Sequence, residues 1–65
     1  MTIGEKINQL RKEKNMTLKE LSRKSGISTA TLHNWKSGRT KPQPIALKKI
    51  ADALECDFQE LFKLL

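Results

Sequence analysis

The chemistry most open to this sequence is that of positive charge. Its seven carboxylates stand at Glu5, Glu13, Glu20, Asp52, Glu55, Asp57 and Glu60, and none falls between Leu21 and Ala51. That stretch carries Arg23, Lys24, Lys36, Arg39, Lys41, Lys48 and Lys49, a cationic surface with no counter-charge of its own. With 13 Lys and Arg against 7 Asp and Glu, the formal net charge is +6 at pH 7. Such a field attracts polyanions, nucleic acid first and an anionic membrane surface second. Many small soluble proteins are basic, so the clustering of the charge says more than its total.

Other chemistry is poorly supplied. His33 and Cys56 fall in different expected helices with no cleft implied between them, so no nucleophile is paired with a base. A single cysteine cannot close an internal disulfide, and no His/Cys cluster has metal-ligand spacing. Cys56 reads as a small buried or half-buried apolar residue rather than a reactive thiol. Sixty-five residues make one domain, 1–65, with too little apolar area to enclose both a core and a roomy substrate pocket. Catalytic residues, metal, cofactor and small-molecule ligand are therefore expected to be absent, and the chain is not expected to be an enzyme. No apolar run approaches a membrane span or a signal-peptide core, and Met-Thr-Ile-Gly-Glu does not read as a targeting segment. The expected compartment is the cytoplasm.

The elements that must position the cations are all helical. Ile3, Ile7 and Leu10 repeat at i, i+4, i+7, and Thr2 with Glu5 has capping-box spacing, so a first helix should run from about Ile3 to Lys14. Thr17 with Glu20 repeats the box, with Met16 and Leu21 at the two staple positions, and starts a second helix at Leu18 that Ser25-Gly26 ends. Only Ile27 separates that glycine from Ser28, a good N-cap, so a third helix starts at Thr29, with Ile27 stapled to Leu32. Gly38 closes it after Ser37, and Arg39 to Gln43 forms an irregular cationic connector. Pro44 suits the first turn of a fourth helix whose apolar face is Ile45, Leu47, Ile50, Ala51 and Leu54. Asp57 with Glu60 makes a third box, stapled by Cys56 and Leu61, before a last helix that includes Phe58, Leu61 and Phe62.

Two short helices across a tight glycine turn could form any helical hairpin. Here Leu21, Ser22, Gly26, Ile27, Leu32 and Trp35 supply in order an apolar anchor, a small residue, a turn glycine and three apolar contacts. The stretch Met16-Thr-Leu-Lys-Glu-Leu-Ser through Trp35-Lys-Ser-Gly-Arg-Thr-Lys-Pro42 resembles the phage-repressor/Cro-type helix-turn-helix family. Ile45-Ala-Leu-Lys-Lys-Ile-Ala-Asp-Ala-Leu54 and Phe58-Gln-Glu-Leu61 extend the likeness over nearly the whole chain. The resemblance implies an all-α, compact five-helix lambda-repressor-like DNA-binding domain. It also implies that helices 2 and 3 form the helix-turn-helix, and that Thr29 to Ser37 lies in the major groove.

At about 100° per residue, with Leu32 taken as inward, Ala30 and Asn34 lie nearly opposite, with His33 and Ser37 beside them. The expected base contacts are Thr29, Ala30, His33 and Asn34. The Asn34 amide donates and accepts at once and so matches the N6/N7 edge of adenine, unless it is an ordinary exposed helix residue. Thr29 and Ala30 suit van der Waals contact with a thymine methyl, and His33 could donate to guanine N7 or to a phosphate. The resemblance places Ser28, Arg39, Lys41 and Arg23 around the reading helix, and Thr17 and Lys19 at the front of helix 2. With Ser37 these are the expected phosphate contacts, against the plain alternative of a solvated charged face. Lys48 and Lys49 are expected too far round the domain. Trp35, a lone aromatic at helical spacing from Leu32, reads as core rather than as a platform for unpaired bases.

Three positions depart from the family's pattern. Leu18 stands where a phosphate-contacting Gln is common, and Ser22 where Ala is, a fit that requires its hydroxyl to bond back to a carbonyl. Lys36 stands where Glu often pairs with the arginine matching Arg11, so two cations should repel and raise the salt sensitivity of DNA binding unless Arg11 turns to a phosphate or another acid. The expected function is that of a small transcriptional regulator, a repressor in the first instance, on a palindromic double-stranded operator. Homodimer contact is expected through Phe58, Leu61, Phe62 and Leu65, in a C-terminal apolar group that also includes Leu64. The alternative is an antitoxin- or anti-regulator-type module whose helix-turn-helix grips a protein. That reading predicts weak, sequence-blind DNA binding.

Overall fold

A computed structural model describes residues 2–64. Five helices follow one another, α1 (Ile3–Glu13), α2 (Leu18–Ser25), α3 (Thr29–Ser37), α4 (Pro44–Leu54) and α5 (Phe58–Phe62), and no strand occurs among the described residues. Local chemistry sets most boundaries. Thr2 and Thr17 each accept a bond from the backbone N–H three residues on, while Glu5 and Glu20 reach back to the cap's own N–H, closing two full capping boxes. Gly26 and Gly38 end α2 and α3 at φ 76° and 83°, the left-handed region that glycine enters without steric cost.

The expected boundaries need two corrections. α1 stops at Glu13, because Lys14 has left helical geometry and serves as its C-cap. Asp57 does not form a capping box with Glu60. Its carboxylate accepts from the N–H of Gln59 at 3.0 Å, a tighter turn that leaves the Glu60 side chain out of the cap.

The core gathers on α4. Leu47, Ile50 and Leu54 are fully buried, joined by Leu21 of α2 and Leu61 of α5, with Ile3, Ile7, Met16, Leu32, Trp35 and Ala51 around them. Each leucine, isoleucine or methionine among them contributes roughly 1.5–3 kcal/mol through apolar burial. Ile45, expected on this face, is instead 71% exposed. It stands in the first turn of α4, beyond the reach of the neighbouring helices, so the apolar face begins at Ala46 and Leu47.

α1 crosses α3 at very short range, and Gly4 makes this approach feasible. A Cβ built there would stand 2.5 Å from Lys36 Cα and collide with the Trp35 carbonyl. The joint between α2 and α3 is fastened by Ser25. Its hydroxyl is buried, accepts from the N–H of Ile27 at 3.2 Å and donates toward the Ser22 carbonyl at 3.5 Å. The back-bond expected of Ser22 itself is not formed among the described residues. Ser22 fits half-buried by its small size alone.

Candidate nucleic-acid interface

Two residues hold α3 in place. Leu32 and Trp35 are each 5% exposed, and the helix has no other buried position. Thr29, Ala30, His33, Lys36 and Ser37 are exposed, whereas Thr31 and Asn34 are half-buried. Taking Leu32 alone as inward therefore misplaces the outward direction. The inward axis bisects Leu32 and Trp35 and tilts toward Thr31, which turns the helix by roughly 30–50° at 100° per residue. Its outward centre falls on Ala30, His33 and Ser37, and Asn34 moves to one edge. Among the described residues the Asn34 amide makes no hydrogen bond, so from that edge both its donor and its acceptor remain available.

The expected phosphate donors divide into two kinds. The hydroxyls are already engaged. Thr17 Oγ1 accepts from Glu20 N–H at 3.0 Å and lies 3.2 Å from Glu20 Oε1, Ser28 Oγ donates to Thr31 Oγ1 at 2.9 Å, and Ser37 Oγ donates to the Asn34 carbonyl at 3.1 Å. What α2 and α3 offer at their N-termini is the first backbone N–H groups, which no cap hydroxyl covers. The two ends differ in charge. The Thr17 N–H and hydroxyl hold the Glu20 carboxyl below its usual range, so α2 begins with a fixed anion, whereas the first turn of α3 has no acid. The start of α3 is thus the better anion site of the two.

Lys19, Arg23, Arg39 and Lys41 are exposed, and none is ion-paired among the described residues. The one ion pair found there is Lys48–Asp52 at 3.0 Å on α4, an exposed i,i+4 contact of small energetic weight. The acid-free stretch therefore keeps its charge where α3 and the connector meet solvent.

A helix-turn-helix family model matches residues 7–61, more than four fifths of the chain. The chain belongs to the helix-turn-helix family. It is 34% identical over 61 residues to the HTH-type transcriptional repressor RghR of Bacillus subtilis, covering 92% of this chain and 45% of that protein. It is 36% identical over 59 residues to an uncharacterized HTH-type transcriptional regulator, y4dJ, of Sinorhizobium fredii, covering 91% and 77%. The crystal structure of an HTH_3 family transcriptional regulator from Vibrio cholerae superposes with a TM-score of 0.85 at 31% identity, covering 94% of this chain and 34% of that one. The chain thus spans less than half the length of the Bacillus repressor it matches.

Within this helix-turn-helix framework the unusual residues find local solutions. Leu18 opens α2 at 36% exposure and, as expected of a leucine at this position, offers no side-chain donor. Arg11 turns away from Lys36. Its Nη1 donates to the Met16 carbonyl at 2.6 Å and its Nη2 to Asn8 Oδ1 at 2.8 Å, while its buried Nε–H finds no acceptor among the described residues. The guanidinium thereby braces the α1–α2 turn, where Asn15 takes a left-handed φ of 55°. Lys36 lies instead with Glu5 and Glu13 along a cleft beside α1.

Sequence reasoning missed Gly4, Ser25 and Arg11 as positioning residues. A glycine inside a helical pattern was the available signal for the first, whereas the other two act through short-range bonds, Ser25 to Ser22 and Ile27 and Arg11 to Asn8 and Met16, that depend on how each turn closes. At the C-terminal end Leu61 is fully buried, so it cannot contact a second copy as expected, because α4 and α1 already cover it. Phe58 and the exposed Phe62 stack with ring centroids 5.2 Å apart, Leu64 is half-buried, and Leu65 lies outside the described residues. Cys56 is half-buried, and burial, with Glu60 next, pushes its thiol up and away from thiolate reactivity. Among the described residues no three His, Cys, Asp or Glu side chains converge as metal ligands, and no helix is long and apolar enough to cross a membrane.

Proposed function

We propose that the chain binds double-stranded DNA with sequence preference, placing α3 in the major groove, and regulates transcription as a repressor. The observation that carries this reading is the exposed, acid-free face of α3, anchored by Leu32 and Trp35 and bordered by Arg39 and Lys41, which have no ion-pair partner among the described residues. Thr29, Ala30, His33 and Asn34 are the base-reading set. Lys19, Arg23, Arg39 and Lys41 supply charge to the phosphates, with the N-termini of α3 at Ser28 and of α2 at Thr17 supplying backbone donors, and Ser37 at the far end. The relatives named as transcriptional regulators support the same reading.

Two copies would read a palindromic operator whose half-sites lie about one helical turn apart. Phe58 and the exposed edge of Phe62 are the surface through which they would meet. Selection of bound sequences from random duplexes, followed by affinity measurements at several salt concentrations, tests the proposal. The expected result is an enriched palindrome and a log–log salt slope of several units. Binding without any enriched sequence would overturn it and leave the protein-gripping module, to which the exposed Leu18 would then belong.

A further inference from the structure

The outward centre of α3 is shared by Ala30, His33 and Ser37, and only one of these can change its charge near neutral pH. Histidine is the side chain whose protonation switches between pH 5 and 8. His33 is the chain's one histidine, is exposed, and makes no hydrogen bond or ion pair among the described residues.

The charged groups around it are of two kinds. On its own helix and the connector stand Lys36, Arg39 and Lys41, with no carboxylate. α2, packed against α3, brings Lys19, Arg23 and Lys24, and its one acid, Glu20, is held in the Thr17 cap. α1, packed on the other side, brings Lys6, Arg11 and Lys12 with two acids. Glu5 is tied to Thr2, Glu13 accepts from Gln9 at 3.2 Å, and both line the cleft of Lys36, which His33 does not line. Among the described residues, then, no carboxylate is bonded to or paired with His33. A phosphate backbone laid across α3 would bring anions to a ring that has none bonded to it in the free protein.

We infer that His33 is a proton-linked reader of guanine, an inference that rests on α3 being the major-groove helix. Guanine presents two acceptors there, N7 and O6, and the adjacent phosphate presents only acceptors. A neutral imidazole has one N–H and one lone pair, whereas the imidazolium has two donors. Only the protonated ring satisfies the base edge with one nitrogen and the backbone with the other. Docking takes up a proton from solvent, and both affinity and the base preferred at that position depend on pH.

Three proteins test this, wild type, His33→Gln as an uncharged ring substitute and His33→Arg as a permanently charged one. Each is taken through duplex selection at pH 6 and pH 8, and its affinity for the wild-type operator is measured across that range at constant ionic strength. Wild type should bind about tenfold more tightly at pH 6 than at pH 8, with guanine enriched at one position per half-site at the lower pH only. His33→Gln should lose both effects, and His33→Arg should hold the guanine preference at both values. The His33 ring resonances should titrate at higher pH on the operator than in the free protein. An operator recovered with identical pH slopes for wild type and His33→Gln would overturn the proton linkage while leaving DNA recognition intact. Recovery of no operator at either pH would overturn both.

Discussion

α3 and α4 are of similar length, yet they spend their residues differently. α4 commits Leu47, Ile50, Ala51 and Leu54 to the core and touches α1, α2 and α5. α3 commits only Leu32 and Trp35 and leaves five of its nine residues exposed, none of them acidic. Burial is thus concentrated in one helix and exposed, acid-free surface in another, the one proposed to read DNA. α3 is held by position more than by its own buried area, through the Gly4 crossing on one side and the Ser25-Gly26 joint on the other. Substitutions on the two helices should therefore separate loss of fold from loss of binding.

The largest effect should come from α4. Leu47→Ala is expected to cost about 2–5 kcal/mol, a large share of the stability of so small a fold, and to abolish a cooperative thermal transition or lower its midpoint steeply. Circular dichroism melting checks this, and an unchanged midpoint would break the division. Gly4→Ala should cost about 1–3 kcal/mol through overpacking against the Trp35 and Lys36 backbone. Because it displaces α3 directly, it should also weaken DNA binding by the protein that remains folded, as titration below the melting range would reveal. Asn34→Ala should do the converse. Operator affinity is expected to fall by about 1–3 kcal/mol and discrimination to relax at one base pair, while stability stays within about 0.5 kcal/mol.

The smallest effect concerns pH. Glu5 and Glu20 are held below the ordinary carboxyl value of 4.5 by the Thr2 and Thr17 caps. A carboxyl depressed in the folded state contributes stability that is complete above its unfolded value and is lost as pH falls through the folded one. Thermal midpoints should therefore decline below about pH 4.5 in wild type, and by less in a Glu5→Gln/Glu20→Gln variant, since the amide needs no ionisation to cap. Parallel declines would remove the boxes from the acid response.

Much of the fold was legible because its boundaries are chemical. The two Thr–Glu boxes, Ser28, Pro44 and the two left-handed glycines act within a few residues of themselves, and the helices begin and end close to where they direct. Asp57 was misread because an aspartate can close on the second N–H as well as the third, a choice spacing does not reveal. The candidate interface was legible by composition and less so by orientation. The direction in which α3 faces depends on how Leu32 and Trp35 share the approach of α1 and α2, which a wheel drawn from one residue cannot supply. The exposure of Ile45 and the clearance at Gly4 likewise depend on where other helices arrive in space, whereas the bracing by Arg11 depends on how the α1–α2 turn closes.

The Leu32–Trp35 anchor also makes the molecule its own reporter. Trp35 is the one tryptophan in a chain without tyrosine, and it sits on the buried side of α3 at 5% exposure. Ultraviolet-excited emission therefore arises from a single indole whose surroundings become wet as soon as α3 lifts from α1. Its spectral position and its accessibility to a soluble quencher give a label-free reading of how firmly that helix is seated, before and after any partner is added.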